Sequence, residues 1–121
     1  KTIPLDEKNV MSLFTSSKVL GYEDDPILGK TGAVAVPEFN TRFTRQVLLD
    51  TMPDRFDTLL RISGYTHGTD VWLGNAQDLI LSGTATISTA ICTRDDIMNY
   101  LIEIHLDTPR NIASSRFIVK T

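Results

Sequence analysis

The run from Arg61 to Gln77, Arg-Ile-Ser-Gly-Tyr-Thr-His-Gly-Thr-Asp-Val-Trp-Leu-Gly-Asn-Ala-Gln, constrains the fold of this chain more than any other stretch. It holds three glycines, the sole tryptophan and one of the two histidines. A glycine inside a helix costs roughly 1 kcal/mol relative to alanine, so a plain helix does not account for Gly64, Gly68 and Gly74. A tight backbone path or the close approach of a ligand must justify them. A second dense patch, Arg94-Asp95-Asp96-Ile97-Met98, follows within one or two elements.

Around these patches the signals are mostly helical. Asp6 reads as the N-cap of a short helix carrying Val10, Met11, Leu13 and Phe14. Gly21 to Gly32 is loop-like, and Ala33 to Val36 reads as a short strand or an extended lead-in to Pro37, since the residue before proline avoids helix. Asn40 or Thr41 caps a helix whose Phe43, Val47, Leu48 and Met52 share one broad face. Pro53-Asp54 breaks it and starts another, with Phe56, Leu59, Leu60 and Ser63 inward and Gly64 as its end.

A third helix is predicted from Val71 or Leu73 to Leu81, stopped by Gly83, with Trp72 as a core anchor. Residues 84–93 are ambiguous, β-branched but short, with Thr86 or Ser88 able to cap a single turn. Thr93 reads as an N-cap with Asp95 and Asp96 in the first turn, where carboxylates complement the helix dipole. Ile97, Leu101, Ile104 and His105 follow at helical spacing, and Thr108-Pro109 opens a last helix through Ile112 and Phe117. The expected fold is mostly α: several short helices with functional loops, little or no strand, in a single domain over residues 1–121.

Composition narrows the function classes. No stretch approaches the ~20 apolar residues of a membrane span and no signal peptide opens the chain, so no membrane partner is expected. The first residue is lysine, which favours an excised piece over a complete gene product. Cys92 is the sole cysteine, which excludes an intramolecular disulfide and a multi-thiolate metal site and suits a reduced, cytoplasmic setting. The formal net charge of −3 argues against strong nonspecific nucleic-acid binding by this chain alone. Between Lys30 and Ile62, however, Lys30, Arg42, Arg45, Arg55 and Arg61 slightly outnumber the acids.

Several strings invite chemistry and fail its spacing. Gly29-Lys30-Thr31 ends like a phosphate loop, but Asp24 stands where that motif needs its first glycine and no strand precedes it; Lys30 then reads as a loop lysine. His67 and His105 with Asp70 fall short of any metal spacing. Asp95 and Asp96 diverge on a helix and read as capping groups rather than co-ligands of one ion. Arg42 and Arg45, three apart, share a helix face opposite much of the apolar stripe, either as a solvated face or as phosphate contacts suited to arginine's planar fork.

Three strings carry a family resemblance. Ser63-Gly64-Tyr65-Thr66-His67-Gly68-Thr69-Asp70-Val71-Trp72-Leu73-Gly74-Asn75-Ala76-Gln77 is the first, Pro37-Glu38-Phe39-Asn40-Thr41-Arg42-Phe43-Thr44-Arg45-Gln46 the second and Arg94-Asp95-Asp96-Ile97-Met98 the third. Together with Lys1-Thr2-Ile3-Pro4 and Val10-Met11-Ser12-Leu13-Phe14 they resemble the fingers region of the PolC-type DNA polymerase III alpha subunits, the bacterial C-family replicative polymerases. The chain departs from the family at Tyr65 and Thr66, where leucine and serine are usual, and at Thr93, where cysteine is; the tail 107–121 fits poorly.

The resemblance implies a part of a replicative DNA-directed DNA polymerase. In that family the palm supplies carboxylates and Mg²⁺, and the fingers supply positive charge and a lid over the nascent pair. It implies Arg94 and Arg45 as ligands of triphosphate or DNA phosphate, and Thr66, His67, Gly68, Thr69 and Asp70 as the lining of the nucleotide pocket. Mg²⁺ would be held outside this chain, which would be catalytically inactive alone. Expected partners are the incoming dNTP, primer–template DNA and the palm and other domains of the same polymerase, with the sliding clamp and replisome reached through other regions. The alternatives from the residues themselves are a stand-alone helical interaction module and, last, a small hydrolase using His67 and Asp70.

Overall fold

The computed structural model describes residues 2–106, the last two by backbone alone, so the reading of a helix after Thr108-Pro109 lies outside the described residues, as does the His105 side chain. The fold is helical, with no β-strand among the described residues and one isolated bridge between Asp25 and Gly29. Two compact units divide the chain, one up to Ser63 and one from Gly64 onward.

In the first unit, α1 (Lys8–Ser12) is capped by Glu7, whose carboxylate accepts from the Val10 amide at 2.8 Å. The cap expected of Asp6 is therefore one residue late. Asp6 accepts instead from the Phe56 amide at 3.0 Å, satisfying an orphan donor at the start of α3 (Phe56–Tyr65). Residues Gly32–Ala35, read as strand or extended chain, form one 3₁₀ turn. Gly32 explains it: its amide donates to the Leu13 carbonyl at 2.8 Å, tying this turn to the end of α1 and leaving no straight path.

Thr41 caps α2 (Arg42–Thr51), its Oγ1 accepting from the Thr44 amide at 3.1 Å. Val47 and Leu48 are buried, as are Met11, Ala33 and Leu59, and Phe14 meets Phe39 edge-on with centroids 5.3 Å apart. Met52 does not share the α2 apolar face: it takes a left-handed conformation (φ 46°) as the C-cap and is 59% exposed. Leu60, expected inward, is 62% exposed, because Leu59 and Ile62 define the buried side of α3 and Leu60 points away from it.

In the second unit, α4 (Thr69–Val71), a π-type turn (Trp72–Ala76) and α5 (Gln77–Leu81) follow one another. The helix expected from Val71 or Leu73 to Leu81 is thus broken at Leu73-Gly74, where Gly74 adopts φ 67°. Left-handed backbone is what glycine tolerates and a side chain resists. Trp72 is buried, 2% exposed, against Tyr65, which is fully buried. Gly83 (φ 73°) ends α5, and a single turn from Thr86 to Ala90 follows, the Ala90 amide donating to the Thr86 carbonyl at 3.0 Å. The last described element is α6 (Arg94–Leu106). Its Ile97, Leu101 and Ile104 are exposed among the described residues.

Candidate functional site

The glycine-rich run is built around its aromatic pair. Tyr65 closes α3, its ring centroid 5.6 Å from that of Trp72, and its hydroxyl donates to the Ala90 carbonyl at 2.9 Å. One residue earlier, Gly64 lies in α3 with the Cys92 carbonyl directly above it: a Cβ there would stand 2.9 Å from that oxygen. These two contacts fasten the run at 63–77 to the strip at 90–92.

The strip leads straight into α6 through reciprocal capping. Thr93 Oγ1 accepts from the Asp96 amide at 3.1 Å, while Asp96 Oδ2 accepts from the Thr93 and Cys92 amides at 3.1 and 3.0 Å and from Cys92 Sγ at 3.1 Å. Thr93 is the N-cap read from the sequence, and Asp96 completes a capping box. Asp96 is therefore occupied with backbone. Arg94, at the first position of α6, is exposed, and its side chain makes no hydrogen bond or ion pair among the described residues.

Thr66, His67 and Gly68 form the turn between α3 and α4, and Thr69 and Asp70 open α4; His67, Thr69 and Asp70 are exposed. Gly68 is the N-cap of α4 with an extended backbone (φ −168°), a conformation open to any residue. A Cβ on Gly68 would meet only Val71 Cγ2, at an ordinary 3.5 Å. Of the three glycines in the run, Gly64 is required by the Cys92 carbonyl and Gly74 by its φ; neither reason applies to Gly68.

Arg45 belongs to the first unit and to a different constellation. Its Nη1 donates to the Leu28 carbonyl at 2.6 Å, and Gly29 (φ 81°) permits this, because a Cβ there would sit 3.3 Å from the same Nη1. The loop is shaped by Asp25, whose carboxylate accepts from the Ile27 and Leu28 amides at 2.8 and 2.9 Å, while its carbonyl accepts from the Gly29 amide at 2.8 Å. No phosphate loop is present: Asp25 folds this segment on itself, and no strand leads into it. An open cleft of about 790 Å³ runs between the loop and the Arg42, Arg45 and Gln46 side of α2. Sequence reading missed Lys30 and Thr31 as members of this cleft. The signal was the juxtaposition of Gly29-Lys30-Thr31 with the arginines three apart, which the phosphate-loop test alone discards.

The Leu28 and Ile27 amides hold the Asp25 carboxyl below the ordinary aspartate range. A depressed folded-state pKa contributes stability that is present above the unfolded value and lost as pH falls through the folded one. The loop is thus expected to keep its geometry down to the usual aspartate range and to open only below it. Amide shifts of Ile27 and Leu28 followed by NMR against pH should show a midpoint below that range. A midpoint at or above it would contradict the arrangement.

Set beside known proteins, residues 1–110 match the family model described as the bacterial DNA polymerase III alpha subunit finger domain. The chain belongs to that finger-domain family. Among curated relatives named DNA polymerase III PolC-type, the finger domain is 52% identical to that of Staphylococcus saprophyticus over 120 residues, 99% of this chain. It is 52% identical to that of Caldanaerobacter subterraneus and 54% identical to that of Staphylococcus aureus strain MW2, each over 107 residues and 88% of this chain. The chain spans about 8% of the length of these relatives. Among the described residues no group of three or more His, Cys, Asp or Glu is placed to hold a metal ion, and no helix is long and apolar enough to cross a membrane.

Proposed function

We propose that this finger domain serves a replicative DNA-directed DNA polymerase, binding the incoming deoxynucleoside triphosphate and primer–template phosphates during nucleotidyl transfer. The observation that carries the reading is Gly68: an exposed turn holds a glycine that neither its backbone nor its neighbours require. A position kept without a side chain, for no internal reason, leaves room for a ligand to approach the backbone. Arg94 supports the same reading, an unpaired guanidinium at the start of a capped helix, where amide groups and the dipole also favour an anion.

Phosphoryl transfer asks little covalent chemistry of the protein, so positioning and charge stabilisation dominate. In this reading Arg94 takes a phosphate oxygen, and Thr66, His67, Thr69 and Asp70 shape the nucleotide pocket around Gly68. Mg²⁺ and its carboxylates are assigned, on the family resemblance, to the palm of the same polymerase. Other polymerase domains and primer–template DNA are the proposed partners, with the sliding clamp and replisome engaged elsewhere in that protein, in the cytoplasm.

The test is made in a polymerase carrying this finger sequence. Arg94→Ala is expected to lower kcat/KM for dNTP at least tenfold, a loss of about 1.4 kcal/mol of transition-state stabilisation. Gly68→Ala is expected to reduce nucleotide affinity while leaving stability within about 1 kcal/mol, the range for an N-cap exchange of this kind. Unchanged nucleotide kinetics in both variants would refute the assignment.

A further inference from the structure

The loop that walls the cleft of the first unit carries an aliphatic side chain where its turn does not ask for one. Residues 26–28 turn between the bridged pair Asp25 and Gly29, and such tips usually hold Gly, Asn, Asp or Ser. Ile27 stands there instead, 88% exposed. The backbone on either side of it is held. Asp25 Oδ1 accepts from the Ile27 and Leu28 amides, the Asp25 carbonyl accepts from the Gly29 amide, and Arg45 Nη1 donates to the Leu28 carbonyl from α2. Ile27 is thus presented on a preformed support, which spares a partner the entropy of ordering the loop.

The chemistry beside that tip is apolar and cationic together. Pro26, Ile27 and Leu49 line the cleft with Lys30, Arg42 and Arg45, and no Asp or Glu joins them. None of these cations makes an ion pair among the described residues. The Asp25 carboxylate is spent on the loop's own amides, and Asp50, further along α2, accepts from the Gln46 side-chain amide outside the lining. An aliphatic anchor with arginines around it is the composition of a protein interface, and the sign of the charge specifies an acidic partner. A phosphate backbone would answer the cations and leave Ile27 facing water. Small, charged, preformed surfaces suit partners that come and go, whereas permanent interfaces are large and apolar.

We propose that this cleft docks an acidic segment of a separate protein, whose aliphatic side chain packs on Ile27 and Leu49 while its carboxylates face Lys30 and Arg42. The surface lies wholly in the first unit. It uses neither Arg94 nor the turn after α3, so it stands or falls apart from the nucleotide reading.

The experiment titrates the 121-residue chain with a short synthetic peptide of Glu and Asp carrying a pair of Leu side chains, read by NMR at backbone amides. The same peptide with Ser in place of Leu, and a short DNA duplex, are titrated separately. Saturable shifts are expected at Ile27, Lys30, Arg42 and Gln46, with the Ser peptide bound more weakly by about tenfold or more. Ile27→Ser, at an exposed tip, should weaken the Leu peptide by a similar factor and leave duplex affinity unchanged. Arg42→Ala should weaken the Leu peptide comparably, with the rest of the spectrum unaltered. Equal affinity for the Leu and Ser peptides, or unaltered peptide affinity in Ile27→Ser, would overturn the proposal. Shifts confined to residues outside the cleft would overturn it too. Tighter binding of the duplex than of the Leu peptide at these same amides would also overturn it, marking the cleft as a nucleic-acid surface instead.

Discussion

Replacing Trp72 with alanine is expected to destabilise the finger domain by about 3–5 kcal/mol, the usual cost of deleting a large aromatic side chain from a core. Trp72 is 2% exposed, and it is half of the pair with Tyr65 that anchors the second unit. Against a typical net stability of about 5–15 kcal/mol, the loss removes a large share of what keeps the chain folded. Because Trp72 is the sole tryptophan, unfolding of the variant has to be followed in urea by far-ultraviolet circular dichroism rather than by its fluorescence. Leu73→Ala, one residue along and half exposed, should shift the midpoint little, within about 0.5 kcal/mol. A Trp72→Ala midpoint equal to that of Leu73→Ala would show that the aromatic pair is not the anchor.

Gly64→Ala is the second large effect, and its sign is the informative part. At an ordinary helical position alanine gains about 1 kcal/mol over glycine. At Gly64 the new methyl would stand 2.9 Å from the Cys92 carbonyl oxygen, a backbone atom that cannot rotate aside. The expected outcome is a net loss of about 1–3 kcal/mol, the cost of overpacking, and a greater loss for Gly64→Val. Chemical denaturation followed by Trp72 fluorescence measures it. The Cys92 and Thr93 amides should shift too, since both donate to Asp96 from the strip that would be pushed. A neutral or stabilising alanine would mean that the strip yields freely, and that the packing seen at Gly64 does not constrain it.

Local chemistry made part of this fold legible in the sequence. Thr41 and Thr93 are N-caps because a hydroxyl one residue before an apolar period has an orphan amide to accept from, and both do so here. Gly83 ends α5 for the complementary reason, a left-handed backbone after the last turn. What escaped the sequence depends on atoms far apart in the chain. Asp6 looks like a local cap and serves Phe56 instead, and Met52 fits a helical stripe until its left-handed conformation turns it outward.

The candidate site divides in the same way. Thr66, His67, Gly68, Thr69 and Asp70 are contiguous, so the turn after α3 and the start of α4 hold them together whatever the rest of the chain does. Gly64 and Cys92, or Lys30 and Arg42, meet only once the fold exists. Periodicity reports which side of a helix is apolar. It carries no information about which carbonyl will pass above a glycine or which loop will face an arginine.

The hydrogen bond from the Phe56 amide to Asp6, 50 residues away in the chain, bears on how this domain can be cut and recombined. The stretch before α1 supplies the acceptor for the first turn of α3, the helix that delivers Gly64 and Tyr65 to the second unit. Grafting the glycine-rich run into another finger domain without its lead-in would leave that turn frayed at its origin. The unit of exchange therefore extends back to Asp6, more than fifty residues ahead of the glycine-rich run itself.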